Sequence, residues 1–263
     1  MSIVTTDSPF AQLVQQIAPH SKLLRTWPLQ GGISAQMTAF AIEQPDGQTQ
    51  KMIVRQPNAE TLHRYPQAAA NEFNLLQFTQ AVGLATQNAY YLDESGTIFA
   101  TPYLVIEYIE GKPEFAPVHL TTFTRQCATH LARIHQVDIT QVDLSFLPNQ
   151  AVELTALIGQ HAGNRHAAFA EGRLRDTLAV AWPLPQRKAS VLRHGDFWPG
   201  NLLWQNEELV AVIDWEDAQL GDPLTDLAIS RLDMLCIFGV EAMQSFTQHY
   251  QALMTLDLST LPY

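Results

Sequence analysis

Two cysteines, Cys127 and Cys236, are all the sulfhydryls in 263 residues, and their spacing is not that of a pair. This excludes a disulfide framework and a thiolate metal site, and a reducing compartment such as the cytoplasm is expected. No apolar run approaches the roughly 18 residues that cross a bilayer, so no membrane span is expected. The start, MSIVTTDSPFAQLVQQ, has no basic stretch leading into an apolar one, so no secretory signal is expected. Charged residues make up only 16%, too few for a disordered or coiled-coil chain, while 46% hydrophobic residues suffice for one large domain or two modest lobes. Internal repeats, low-complexity tracts and Gly/Ser linkers are absent. Three motifs are absent too: G-x-x-x-x-G-K-[ST], G-x-S-x-G and H-E-x-x-H. Their absence argues against a P-loop, a hydrolase nucleophile elbow and a helical zinc site.

Positive charge is also scarce. Lys and Arg number 15 against 26 Asp and Glu, a net charge of −11. Nucleic-acid phosphates need a basic footprint, so a nucleic-acid partner is not expected. The acidity is concentrated: residues 196–233 hold nine acidic side chains and one basic one, Arg231. Such a run can be a solvated face, but its spacing suggests cation binding.

The chain order is β-rich, then α-rich. Residues 10–17 read as a short helix and 23–40 as strand, glycine turn, strand, with Gly31-Gly32 at the turn. Residues 51–55 (KMIVR) read as a strand, 68–82 as a helix and 98–109 as a strand. Within 121–137, Phe123, Cys127, Leu131 and Ile134 recur at helical spacing and predict an amphipathic helix. Residues 151–180 read as helix in two pieces. Two short strands, 202–204 and 209–213, flank a polar turn. One helix follows Pro223 and another covers 241–254. The expected class is α+β with two lobes.

The chemistry concentrates in His194-Gly195-Asp196-Phe197-Trp198-Pro199-Gly200-Asn201 and in Ile213-Asp214-Trp215-Glu216. Asp196 and Asn201 share one loop, and Asp214 follows a hairpin that returns the chain. An amide oxygen and a carboxylate are hard ligands suited to magnesium beside phosphates. Asp196 is then free to orient an incoming hydroxyl and accept its proton, the division of labour that phosphoryl transfer requires.

HGDFWPGNLLW followed by VIDWEDAQLGDPLTDLA resembles the aminoglycoside phosphotransferase/choline kinase-like family, matching H-G-D-x4-N and I-D-x6-G-D-P-x2-D-L-A position by position. The resemblance implies a protein-kinase-like two-lobed fold: a nucleotide-binding β-rich lobe over residues 1–107 and a catalytic, substrate-binding helical lobe over 108–263. It implies an ATP- or GTP-dependent small-molecule kinase acting on a hydroxyl of a small acceptor, cationic ones included, such as an amino sugar, choline or thiamine. Asp196 is implied as the base, with Asn201 and Asp214 holding Mg2+. Asp222 and Asp226 are implied as braces of the loop and cap of the next helix.

The resemblance is weaker upstream. Gly31, Gly32 and Ser34 resemble a phosphate-covering loop. Arg55 stands where many kinases place lysine and is read as the phosphate-contacting cation, with Lys51 on the same strand face as the alternative. Glu72 resembles its acidic partner, and the backbone of Glu107 and Ile109 resembles a hinge that pairs with the nucleotide base. Residues 151–181 are expected to form part of an acceptor wall. The sequence runs only a few residues past 254, where family members often carry further helices, so the resemblance says less of the acceptor pocket than of the chemistry.

Blander readings stand beside these. Glu216 and Asp217 read as a solvated acidic rim able to attract a cation, His194 as a packed loop-shaping residue, and Trp198 and Trp215 as core. His130 and His135, five apart on a helix, cannot share a metal. A different class, a catalytically silent nucleotide-binding regulatory module, draws support only from the missing lysine at position 55.

Overall fold

The computed structural model describes residues 8–30, 34–159, 180 and 190–255. The chain divides into two compact units. The first takes residues 1–113 with 202–216, and the second takes 114–201 with 217–263.

The first unit is built on a five-stranded antiparallel sheet in the order β1-β2-β3-β5-β4. Its strands are β1 (Lys22–Pro28), β2 (Ala35–Glu43), β3 (Thr49–Pro57), β4 (Ala89–Asp93) and β5 (Tyr103–Glu107). Alternation along the three inner strands sends Phe40, Ile42, Met52, Val54, Tyr103 and Val105 to one face. There they pack with Leu13 and Val14 of α1 (Pro9–Ile17). The opposite face carries Ile53, Arg55, Leu104 and Ile106, and α3 (Ala68–Ala81) packs against β3, β4 and β5. A short α2 (Ala59–Arg64) follows β3, capped by the Asn58 side chain on the Thr61 N–H at 2.8 Å. The hairpin β7 (Leu202–Gln205) and β8 (Glu208–Val212) belongs to this unit. Two bonds between Lys112 and Trp204 backbones, and the Val212 N–H on the Ala85 carbonyl at 2.8 Å, tie it down.

The predicted strand over 98–109 is shorter in fact, starting only at Tyr103. Pro102 has no N–H to give a ladder, and it restricts the residue before it. Strand β4, which sequence reading missed, is five residues long, and its AYYLD pattern does not alternate cleanly.

The second unit is mainly helical. It contains α4 (Leu120–His135), α5 (Gln150–Gly159), α6 (Pro223–Phe238) and α7 (Val240–Leu253), with a two-strand ladder of β6 (Val191–Arg193) and β9 (Gln219–Gly221). Helix α4 packs on α7, and α6 packs on α7 and β6. The stripe Phe123, Cys127, Leu131 and Ile134 is buried, as its spacing predicts. Truncating a side chain such as Leu131 there costs about 2–5 kcal/mol. Burial pushes the Cys127 thiol pKa well up, so it behaves as a small apolar group. Asp222 caps α6, its carboxylate accepting the Leu224 N–H at 2.9 Å ahead of Pro223 at the first helical position. Of the predicted 151–180 helix, 150–159 is seen as α5; residues 160–179 lie outside the described residues.

Candidate active site

In the first unit the sheet gathers an ionic cluster around Arg55. Alternation on the central strand β3 turns Arg55 away from the α1 core, and its side chain is almost wholly buried. Its Nε donates to Glu72 of α3 at 2.9 Å. Its Nη2 donates to Asp214 at 3.2 Å and to Glu216 at 2.6 Å. Burial alone pulls a guanidinium pKa down, but Glu72, then Asp214 and Glu216, outweigh it and hold Arg55 above its ordinary value. Three carboxylates thus meet one cation, two negative charges in excess. Glu216 is exposed, the rim position expected of it, and it also binds Arg55 and accepts a hydrogen bond from the Ser34 hydroxyl. No sequence motif signals this contact, because 161 positions separate the partners.

Asp214 follows β8 with φ of +64°, a left-handed backbone uncommon outside glycine but open to Asp. Trp215 beside it is buried, and its Nε1 donates to the Val212 carbonyl at 3.0 Å, fastening the turn from inside. Ser34 stands just before β2, its carbonyl accepting the Asn58 N–H at 2.7 Å and the Thr61 hydroxyl at 3.1 Å. Gly31 and Gly32 lie outside the described residues. Lys51 shares a strand face with Arg55 but pairs with Glu110 and lies 5.5 Å from the Tyr108 ring centroid.

Glu107 ends β5 with its backbone occupied. Its N–H donates to the Asn88 carbonyl at 2.8 Å, and its carbonyl accepts the Gln87 side chain at 2.8 Å. Ile109, two residues on, has no hydrogen-bond partner among the described residues, which leaves its backbone donor and acceptor open.

In the second unit the loop from His194 to Asn201 is held from below and from within. Gly195 has φ of +87°, and a Cβ there would stand 2.0 Å from the Asp217 carbonyl oxygen, so only glycine fits. Gly200 is pressed against the Trp198 ring, 2.2 Å from where a Cβ would be. A 3-10 turn, Pro199–Asn201, returns the Asn201 side chain to Asp196. The Asn201 amide nitrogen donates to the Asp196 carboxylate at 2.9 Å and to its carbonyl at 3.0 Å. The Asn201 oxygen has no hydrogen-bond partner among the described residues. Asp226, fully buried at the start of α6, accepts the His194 N–H at 2.8 Å and Arg193 Nε at 2.9 Å. Burial would raise its pKa, but His135, Arg193 and His194 lower it to about 2. Ser230 on α6 donates to the Phe197 carbonyl at 2.7 Å. Asp233, one turn on, has its pKa raised by burial and by the Asp196 charge.

The structure thus brings Arg55, Glu72, Asp214 and Ser34 together in one unit and Asp196 with Asn201 in the other. Among the described residues no cluster of three or more His, Cys, Asp or Glu side chains is arranged to hold a metal.

An antiparallel sheet followed by helices is a kinase-like α+β fold, and solved small-molecule kinases share it. APH(2'')-IIa in its ternary complex with streptomycin and ATP is 18% identical, with a TM-score of 0.66 over 95% of this chain and 83% of that one. Macrolide 2'-phosphotransferase MphH from Brachybacterium faecium is 19% identical, with a TM-score of 0.65 over 92% and 82%. Amicoumacin kinase hAmiN, bound to AMP-PNP and Ca2+, is 13% identical, with a TM-score of 0.68 over 94% and 79%. The chain belongs to the phosphotransferase enzyme family (APH), whose profile matches residues 27–257. Among curated proteins, acyl-CoA dehydrogenase family member 10 of Mus musculus is 27% identical over 194 residues, 69% of this chain and 18% of that protein. Family member 11 of Homo sapiens is 22% identical over 171 residues, 60% of this chain and 22% of that protein. The chain spans about a fifth of the length of these relatives. No described helix is long and apolar enough to cross a membrane.

Proposed function

We propose that this protein transfers the terminal phosphoryl group of ATP, or GTP, to a hydroxyl of a small molecule, working in the cytoplasm. In this reading residues 1–107 form the nucleotide lobe and 108–263 the catalytic lobe. The observation that carries it is the Asn201–Asp196 pair. The amide nitrogen points at the Asp196 carboxylate at 2.9 Å, which leaves the amide oxygen for a cation and the carboxylate oriented for a proton.

Asp196 is the base. The acceptor oxygen forms a bond to the terminal phosphorus, the bridging P–O bond breaks, and the nucleoside diphosphate leaves with that electron pair. The acceptor proton passes to the Asp196 carboxylate. Asn201 and Asp214 supply the hard oxygen donors that suit Mg2+. When bound, that ion neutralises the charge of the triphosphate. Arg55 is the phosphate-facing cation, with Glu72 fixing its orientation. Gly31, Gly32 and Ser34 form the phosphate-covering loop. Ile109 offers the base an open amide, and the Glu107 carbonyl keeps one lone pair beyond the Gln87 bond.

The acceptor is a small hydroxyl compound, with cationic ones favoured by the acidic run that contains the loop. A second acceptor reading comes from the curated relatives, named as acyl-CoA dehydrogenase family members: a hydroxyl carried on an acyl-CoA.

The test is release of nucleoside diphosphate over an acceptor panel of aminoglycosides, choline, thiamine and hydroxyacyl-CoAs. One acceptor is expected to raise turnover well above the rate with water, and Asp196→Asn is expected to abolish that gain while nucleotide binding persists. An Asp196→Asn protein as active as the parent would overturn the reading.

A further inference from the structure

We propose that His135 and Tyr250 are positioning residues for the loop that carries Asp196: the Tyr250 hydroxyl sets the His135 ring so that its Nε2–H meets Asp226, and Asp226 holds the backbone ahead of Asp196. This rests on the reading of Asp196 as the base.

Three helices converge here. Tyr250 comes from α7, His135 from the last turn of α4 and Asp226 from the first turn of α6. The Tyr250 oxygen lies 2.6 Å from His135 Nδ1, and His135 Nε2 lies 3.3 Å from Asp226 Oδ2. The same Oδ2 accepts the His194 N–H at 2.8 Å, while Oδ1 takes Arg193 Nη2 at 2.7 Å and the Gly195 N–H at 3.3 Å. All four side chains are buried: His135 at 3%, Tyr250 at 0%, Asp226 at 1% and Arg193 at 3% exposure. Water therefore cannot substitute for a lost partner.

The donor pattern follows from the acceptors. Asp226 is held ionised, so it accepts only, and the ring nitrogen facing it must carry a proton. Burial, then the Asp226 charge, raises the Tyr250 phenol pKa, so it stays protonated and donates to bare Nδ1. A proton on Nε2 toward Asp226, with Nδ1 accepting from Tyr250, gives every group in the chain a partner. Arg193 already supplies the countercharge. Asp226 could hold His194 and Gly195 without His135, but Oδ2 would then keep only backbone donors and lose the one side chain that helps set its rotation. The two amides it holds lie one and two residues before Asp196, so a turn of the carboxylate moves the base. The seating of α7 is thereby coupled to the loop.

Tyr250→Phe removes one oxygen and leaves the packing. In the full chain without ligand, amide hydrogen exchange at His194 and Gly195 is expected to quicken about tenfold, with the β7–β8 hairpin unchanged. With Mg–ATP and water as acceptor, kcat is expected to fall about three- to thirty-fold while KM for ATP stays within about twofold, the pattern of a misplaced group acting after nucleotide binding. His135→Gln, whose amide can donate to Asp226 and accept from Tyr250, should retain loop protection that His135→Leu loses. Unchanged exchange at His194 and Gly195 in Tyr250→Phe overturns the proposal, as does His135→Gln behaving like His135→Leu. If Asp196→Asn hydrolyses ATP as the parent does, the role of Asp196 falls. The exchange data still decide whether His135 and Tyr250 hold the loop.

Discussion

Asn201 gives its one amide nitrogen to two oxygens of Asp196, the carboxylate at 2.9 Å and the carbonyl at 3.0 Å. The two residues are five apart, and the 3-10 turn between them closes the loop on itself. One side chain therefore fixes both the rotamer and the backbone of its neighbour.

Asn201→Ala frees the Asp196 carboxylate to rotate and removes an oxygen donor. With Asp196 acting as the proposed base, turnover of Mg–ATP should fall about 100-fold, in the range attributed to loss of general-base catalysis. Nucleoside-diphosphate release measured beside thermal melting checks this. A melting temperature near that of the parent shows that the loss is chemical.

Arg55→Ala leaves Glu72, Asp214 and Glu216 facing one another without their cation. Removing one partner from a buried pair costs about 3–5 kcal/mol, and here three carboxylates lose the same partner. Arg55→Lys keeps the charge but not the planar fork that reaches Glu72, Asp214 and Glu216 at once, and should lose about 1–2 kcal/mol. Urea midpoints compared at equal slope measure both.

Glu216→Gln removes one of the two surplus negative charges beside Arg55. A triphosphate brought to this guanidinium then meets less repulsion. Two unit charges about 4 Å apart with full water screening interact by about 1 kcal/mol, so nucleotide should bind at least roughly fivefold tighter in EDTA. Titration calorimetry without metal tests it. Equal affinities would mean that Glu216 does not face the nucleotide.

Asp226 predicts an acid limb of stability. Its folded pKa, about 2, is depressed below the ordinary carboxylate value. A depressed carboxylate stabilises the fold above its unfolded pKa, and that stability is lost as pH falls toward the folded one. A tenfold change in proton affinity is worth about 1.4 kcal/mol, so this contribution is about 2 kcal/mol, lost between roughly pH 4 and pH 2. Asp226→Asn should be less stable than the parent at pH 7 and flatter across that window, as read by urea unfolding at several pH values.

The local chemistry of the loop was legible because it is local. His194 to Asn201 lie within eight residues, the glycines answer to backbone demands at φ of +87° and against the Trp198 ring, and Asp222 caps the helix that begins at the next residue. The α4 stripe was legible for the same reason, being a single helical period. Less was visible where pairing is long-range. The strands β4, β6 and β9 are too short to show a period, and each exists because a partner elsewhere completes its ladder. Strand β5 began later than its apolar run because Pro102 cannot donate.

By itself the sequence determined the loop and its cap, the amphipathic α4, the order of a β-rich and a helical part, and the acidity of residues 196–233. It did so because backbone strain, capping and periodicity act over a few neighbouring residues. Only the tertiary structure decided that Glu216 would grip Arg55 and Ser34, that Lys51 would turn to Glu110, and that His135 would lie between Tyr250 and Asp226. Those partners are separated by 59 to 182 positions. Side-chain direction on a packed sheet or helix, not spacing in the chain, chooses between them, because burying a charge demands whichever partner the packing brings within reach.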